Sequence, residues 1–123
     1  MRSPTVPDER PARARAGEEA ALAVYVRRGF HEVARNWRCP LGELDLVVGR
    51  GGLLVVCEVK TRSGAAFGGG YEAVTRSKRR KLRQLAEVFL SAERPQAPAI
   101  RFDVASVWLG PRGPDVEVFE DAF

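Results

Sequence analysis

The sequence predicts an α/β domain with the element order αβββαβ and an extra C-terminal strand. Two stretches have helical periodicity, and five shorter runs have the apolar or alternating pattern of strands. A helix between the third and fourth strands permits a right-handed parallel crossover, whereas the second and third strands are close enough in sequence to form an antiparallel hairpin. The sheet is therefore predicted to be mixed and flanked by helices.

The first predicted helix runs from about residue 13 to 28. It ends before Gly29, a residue type that commonly follows a helix. One stripe of this helix, by the spacing rule, carries Glu18, Ala21, Leu22 and Tyr25. Residues 1–12 are rich in Pro and Arg and predict a flexible tail, which leaves residues 13–123 as a single domain.

Acidic side chains gather on one face of the predicted hairpin. The predicted strands are residues 30–38, 43–48, 53–61, 100–109 and 116–119. A turn centred on Arg50 and Gly51 would place Glu43 opposite Glu58 and Asp45 diagonal to it, at roughly 7–8 Å. Because side chains alternate along a strand, one face would carry Glu43, Asp45, Glu58 and Lys60.

This concentration of acids has two interpretations, because like charges facing one another across a sheet are destabilising. A hard divalent cation would stabilise them, since Mg²⁺ takes oxygen ligands from carboxylates. Alternatively, the acids lie on a solvated edge and only aid solubility. A turn of three or five residues would instead scatter them over both faces.

The second predicted helix, residues 75–92, combines a buried stripe with a dense basic run. Its predicted buried residues are Leu82, Leu85, Ala86, Phe89 and Leu90. Residues 76–83 hold six of the 20 basic residues and no acid, which leaves 14 basic against 16 acidic residues elsewhere. Cations in the first turns of a helix oppose its dipole and repel one another, so a phosphate ligand would explain them. A solvated basic face is the alternative. Lys78 lies one turn before Leu82 and is expected to point toward the sheet and its acids.

Composition excludes several classes of protein. No stretch approaches the roughly 20 apolar residues of a membrane span, and the apolar run at residues 20–26 is too short for a signal peptide, so we predict a cytoplasmic protein. Two cysteines make neither a disulfide framework nor a zinc pattern, and Cys57 is predicted to be a buried hydrophobe. His31 is the only histidine, which excludes a two-histidine ribonuclease mechanism within one chain and disfavours a Ser-His-Asp triad.

Two further sets of residues are open to more than one interpretation. Arg62 and the glycine-rich loop containing Phe67 directly follow the acidic hairpin, and they either contact a substrate or serve only as a connector. Trp37 and Trp108 fall in strand patterns, which favours packing in the core over stacking on bases.

Asp45 followed by Glu58-Val59-Lys60 resembles the D…ExK motif of the PD-(D/E)xK nuclease superfamily, which has a restriction-endonuclease-like αβββαβ core. More narrowly, residues 15–123 resemble the uncharacterised bacterial YraN-like family. The segments that carry this resemblance are Gly17-Glu18, Arg35-Asn36, Gly42-Glu43-Leu44-Asp45-Leu46, Glu58-Val59-Lys60-Thr61-Arg62, Lys78 with its following helix, Arg101-Phe102-Asp103-Val104 and Asp121-Ala122-Phe123.

The resemblance implies a role for each motif residue. Asp45 and Glu58 would bind Mg²⁺ or Mn²⁺ together with the main-chain carbonyl of Val59, and Lys60 would position or polarise the attacking water. Glu18 corresponds to the helix-borne acid of Holliday-junction-resolvase-like members, which supports a metal or its water. Leu44 stands where the superfamily name has Pro, and the superfamily motif does not require Glu43.

The resemblance implies a metal-dependent nuclease, with DNA favoured over RNA as its substrate and branched or damaged DNA as candidate structures. One alternative is a nucleic-acid-binding module that kept the fold with little activity, and another is an interaction subunit whose basic helix meets an acidic protein. Resolvase-like relatives are often dimers, so by analogy a homodimer is a candidate assembly. The predicted nucleic-acid-binding residues are Arg62, Arg76, Lys78, Arg79, Arg80, Lys81 and Arg83.

Overall fold

The computed structural model describes residues 9–63 and 74–123. Its elements follow the predicted order, including the predicted extra strand at the C-terminus. They are α1 (Glu9–Arg27), β1 (His31–Cys39), β2 (Gly42–Arg50), β3 (Leu53–Ser63), α2 (Arg76–Glu93), β4 (Ala99–Gly110) and β5 (Gly113–Phe119). No helix in these described ranges is long and apolar enough to cross a membrane.

Helix α1 begins at Glu9, four residues before the predicted start. Residues 9–12, which the sequence analysis assigned to a flexible tail, are therefore helical. The tail was predicted from the Pro- and Arg-rich composition, but a proline such as Pro11 is tolerated in the first turn of a helix because the amide groups there lack intrahelical partners. The rest of the predicted tail, residues 1–8, lies outside the described residues.

The five strands form one open sheet in the order β1-β2-β3-β4-β5. Strands β3 and β4 are parallel and are connected through α2, while the other neighbouring pairs are antiparallel. This topology confirms the mixed sheet, and it places β3, which carries the D…ExK glutamate and lysine, in the centre.

The hairpin of β2 and β3 has a different register from the predicted one. Arg50 pairs with Leu53, so the loop consists of Gly51 and Gly52, and Gly51 adopts a φ of +57°. A two-residue loop with glycine at its first position accommodates such a φ, which explains why the turn lies later than the sequence suggested. The register shift is two residues, so the side chains of the paired residues, 46–50 and 53–57, keep their predicted faces. Continuing the pairing of Leu46 with Cys57 by one residue on each strand would place Asp45 directly opposite Glu58.

Each face of the sheet is covered by one helix. Against α1 lies a core that includes Tyr25, Leu46, Val48, Val55 and Cys57. Against α2 lies a second core that includes Val47, Val56, Leu82, Leu85 and Phe89. Four of the five predicted buried residues of α2 are buried, and Leu90 packs at the border of the core.

Gly17 brings α1 close to the central strand. A Cβ atom at this position would collide with the side chain of Thr61 on β3, so glycine permits the helix to approach. The neighbouring Glu18 is thereby buried, with an exposed fraction of 4%.

A second buried acid, Asp103, connects α1 to the C-terminus. Its carboxylate accepts hydrogen bonds from the Tyr25 hydroxyl, the Arg101 guanidinium and the Asp121 main-chain amide. Phe123 then packs its ring 5.2 Å from that of Phe102, centroid to centroid. The family-like segments around Asp103 and the terminal residues therefore stabilise the fold.

Candidate metal centre and basic helix

Three carboxylates from two elements converge at one end of the sheet. One ligand oxygen from each of Glu18 on α1 and Glu43 and Asp45 on β2 lies within 4.8 Å of the other two. We call these three residues the acidic cluster. Of the three, Glu43 was the residue that the D…ExK motif did not require, and it stands inside the cluster.

Neighbouring donors on β1 hold the acidic cluster. The side-chain nitrogen of Asn36 donates to Glu18 Oε2 at 2.9 Å and to Glu43 Oε1 at 3.0 Å. Arg38 Nε donates to the other oxygen of Glu43 at 3.0 Å. Asn36 has a φ of +51° although it lies in a strand, between Arg35, which pairs with Leu46, and Trp37, which pairs with Leu44. In the sequence, Asn36 contributes only to the family resemblance, whereas in the structure it is a member of the site.

The second oxygen of Glu18, Oε1, is buried and has no hydrogen-bond partner among the described residues. Burial raises the pKa of this carboxyl group, against the opposing effect of the Asn36 hydrogen bond. A buried polar atom without a partner is unfavourable in a folded protein. A cation bound by the acidic cluster would satisfy this atom, so the cluster fits a metal ion with oxygen ligands.

Asp45 is held across the hairpin by the main chain of β3. Its Oδ2 accepts a hydrogen bond of 2.9 Å from the amide of Val59. Burial and then the negative charge of Glu58 raise the pKa of Asp45 to about 7, although the Val59 hydrogen bond opposes this shift. Glu18 and Glu43 add to the increase. The free carboxyl therefore holds its proton unusually well, as expected of an acid placed among other acids.

Glu58 lies beside the acidic cluster and is paired with a cation from α2. Its Oε1 is 3.3 Å from Lys78 Nζ, and its side chain is only 12% exposed. The contact confirms that Lys78 points toward the sheet and its acids. Lys60 lines a neighbouring cavity of about 240 Å³ together with Glu58 and Lys78. Lys60 therefore lies close to Glu58, whereas the acidic cluster includes Asp45.

A cavity of about 660 Å³ joins these residues. Helix α1, strands β1 to β3 and helix α2 all contribute to its wall. Its acidic lining residues are Glu18, Glu43, Asp45 and Glu58. Its basic lining residues are Arg15, Arg38, Lys78 and Lys81. Acids that can bind a cation and bases that can bind an anion therefore face the same space.

The basic residues of α2 are all exposed, and they differ in what they contact. Lys78 and Lys81 line the large cavity. Arg79 donates to the main-chain oxygen of Val74, and Arg83 places its guanidinium 4.7 Å from the centroid of the Phe102 ring. Arg76 and Arg80 are exposed. Nothing tests whether these residues, or Arg62 on β3, contact nucleic acid, so their binding role stays a prediction.

The remaining predicted residues are accounted for as follows. His31 is exposed at the start of β1, and Trp37 packs its ring edge-on against Phe89. Cys57 is buried as predicted. Val59 contributes its amide to Asp45, while its carbonyl as a metal ligand stays a prediction. Phe67 and the glycine-rich loop fall outside the described residues.

The fold and the cavity together define a class: an α/β protein with an open five-stranded mixed sheet, consistent with a restriction-endonuclease-like core, and an acidic centre between its two helices. The chain belongs to the uncharacterised protein family UPF0102, whose model matches residues 17–107. This match confirms the YraN-like resemblance inferred from the motifs.

Relatives in several bacteria cover nearly the whole chain. A UPF0102 protein of Frankia alni is 50% identical over 111 residues, 89% of this chain and 92% of the relative. The relative in Clavibacter michiganensis is 46% identical over 110 residues, 88% of this chain and 92% of its own length. The relative in Moorella thermoacetica is 42% identical over 116 residues, 93% and 97% of the two chains. Their names give the family and no activity.

Proposed function

We propose that the protein is a metal-dependent nuclease that hydrolyses phosphodiester bonds, with DNA as its preferred substrate. The observation that carries the proposal is the buried Oε1 of Glu18, which has no hydrogen-bond partner in residues 9–63 and 74–123 and belongs to a cluster with Glu43 and Asp45. An acid kept in this state costs stability, and such a cost is typical of residues retained for function.

The donor set supports Mg²⁺ or Mn²⁺ as the ion. All candidate side-chain ligands are carboxylate oxygens, which hard divalent cations prefer, and neither cysteine belongs to the cluster. Asp45 and Glu18 would bind the ion, with Glu43 as a further ligand and with Glu58 and the Val59 carbonyl joining them as the resemblance implies. When bound, the ion would supply Lewis-acid chemistry that activates water and offsets negative charge on the phosphate.

The basic residues support a phosphate-bearing substrate. Lys78 and Lys81 on α2, together with Arg15 and Arg38, line the cavity that holds the acids. These four cations balance the four acidic lining residues in number, so a bound divalent ion would leave the cavity positive and suited to an anion. Lys60, beside Glu58, would stabilise charge that develops during hydrolysis.

One observation favours a second candidate, a nucleic-acid-binding module with little activity. Glu58 forms an ion pair with Lys78 and stands outside the acidic cluster. If Lys78 kept Glu58 from binding the metal, the protein would retain its basic residues for nucleic acid, but Asp45 and Glu58 would not bind the ion together. The nuclease proposal requires Glu58 to exchange Lys78 for the ion.

A cleavage screen separates the two candidates. Purified protein is incubated with duplex, single-stranded, nicked and branched DNA, and with RNA, in Mg²⁺, in Mn²⁺ and in chelator. The nuclease proposal predicts cleavage of at least one DNA structure only with a divalent ion. Binding without cleavage of any of these structures would favour the binding module instead. A Glu58→Ala variant purified in the same way controls for a contaminating nuclease.

A further inference from the structure

We propose that Asn36 is a positioning residue that holds Glu18 and Glu43 at metal-binding separation before any ion arrives. The inference rests on the proposed metal centre and adds a residue that the D…ExK motif does not contain. Asn36 belongs to β1, whereas the two acids belong to α1 and β2, so its side chain links three elements at the acidic cluster.

The contacts of Asn36 suit this role. One amide nitrogen carries two hydrogens, and here each is directed to a different carboxylate, at 2.9 and 3.0 Å. Two neighbouring carboxylates repel each other unless something between them supplies positive partial charge. The amide does so without a net charge. Unlike an ammonium or guanidinium group, it therefore offers little electrostatic opposition to a divalent cation.

The amide also leaves one ligand atom of Glu18 available. It occupies Oε2 of Glu18, while Oε1 stays buried and without a partner among the described residues. On Glu43 it shares the carboxylate with the exposed Arg38, which binds the other oxygen. Asn36 thus fixes the orientation of Glu18 while its second oxygen is kept for another partner.

The backbone of Asn36 offers a competing explanation. Its φ of +51° lies in the left-handed region, which asparagine tolerates better than most residues. If only the backbone mattered, glycine would serve at least as well, because it enters this region without steric cost. Asn36→Gly therefore keeps the backbone conformation and removes the amide, which separates the two explanations.

The experiment measures Mn²⁺ binding to the full chain by calorimetry, with thermal unfolding in chelator as a measure of folding. Wild type, Asn36→Gly and a control, Arg94→Gly, are compared. Arg94 also has a left-handed φ, of 47°, but caps the C-terminus of α2 and does not line the cavity. We expect Asn36→Gly to fold and to bind Mn²⁺ roughly 10–100-fold more weakly, as is usual when a residue that orients a ligand is removed. Arg94→Gly should bind like wild type.

Equal Mn²⁺ affinity in wild type and Asn36→Gly would overturn the positioning role and leave the metal centre intact. Failure of the wild type to bind Mn²⁺ would overturn the metal centre itself, and the inference with it. If Asn36→Gly does not fold, adding Glu43→Gln should restore folding, because it removes one of the two repelling charges. A double variant that stays unfolded would contradict the inference.

Discussion

Buried carboxyl groups dominate the electrostatics of the site at the residue scale. Asp45 sits among Glu18, Glu43 and Glu58, and burial together with these charges raises its pKa to about 7. Its charged form is therefore disfavoured in the ion-free fold, and a bound cation would reverse that preference. Metal affinity and stability should consequently both depend on the protonation of this residue.

The pH dependence of stability tests this description. A carboxyl whose pKa is higher in the folded than in the unfolded protein stabilises the fold when protonated, and this contribution is lost as pH rises through the folded pKa. In chelator, we therefore expect the Asp45 contribution to the free energy of unfolding to decrease from about pH 4 to about pH 7. Denaturant unfolding of wild type and Asp45→Asn at several pH values measures it, since asparagine cannot titrate.

We expect Asp45→Asn to be at least as stable as wild type at pH 8 in chelator. The difference between their free energies of unfolding should become smaller toward pH 5. Saturating Mg²⁺ at pH 8 should raise the melting temperature of wild type and have a smaller effect on the variant. A variant that is less stable than wild type at every pH would indicate that Asp45 is a structural acid.

Some residues of the site were predictable from the sequence, and others were not. Asp45, Glu58 and Lys60 form a local spacing pattern, and Glu18 follows from the family resemblance. Asn36 was missed as a site member because its partners, Glu18 and Glu43, belong to two other elements, so no strand or helix period relates the three residues. An asparagine inside a strand pattern was the one available signal, since this residue type tolerates a left-handed backbone.

At the element scale, the hairpin and α2 were predictable because periodicity fixes faces. The hairpin register was wrong by two residues, since the sequence Arg50-Gly51-Gly52 offers more than one two-residue turn. That error left the paired residues on their predicted faces, but it placed Asp45 diagonal to Glu58 instead of directly opposite it. Helix α2 begins at Arg76, within one residue of the predicted start. Thr75 caps the helix, because its side chain accepts a hydrogen bond from the amide of Lys78. The start of α1 was misplaced because the Pro- and Arg-rich composition of residues 1–12 indicated a tail.

The different contacts of the basic residues of α2 lead to a prediction about nucleic-acid binding. Arg76 and Arg80 are exposed, whereas Arg83 also covers the Phe102 ring. Each neutralised phosphate contributes about 0.9 to the magnitude of the log–log salt slope of duplex binding. If Arg76 and Arg80 each neutralise one phosphate, the double variant Arg76→Ala/Arg80→Ala should reduce that magnitude by about 1.8. Fluorescence anisotropy across a salt series measures this slope, and thermal unfolding should be unchanged.

Arg83→Ala is the matched comparison. It should lower the stability by about 0.5–1 kcal/mol through loss of the cation–π contact, whatever it does to binding. An unchanged salt slope in Arg76→Ala/Arg80→Ala would move the binding surface away from the outer face of α2. The cavity residues Lys78 and Lys81, which this variant leaves intact, would then be the next candidates.

At the scale of the whole molecule, two helices cover opposite faces of one sheet, and the acidic cavity lies where both approach its end. The open mixed sheet and the parallel β3–β4 pair were predictable from the order of elements. The closure of the fold by Asp103 and the C-terminal residues was not, because it depends on contacts between α1, β4 and the chain end. These buried anchors keep α1, and with it Glu18, against the sheet.

The central claim is that the acids and Lys60 hydrolyse nucleic acid with the help of a divalent ion. Its most direct test is the single-turnover cleavage rate of wild type and Lys60→Ala on the best DNA substrate from the screen, with DNA affinity measured in parallel. We expect Lys60→Ala to lose roughly 10²–10³-fold in rate and to bind DNA almost as well as wild type, because most ground-state binding comes from remote phosphate contacts. Cleavage at the wild-type rate by Lys60→Ala, purified identically, would contradict the account.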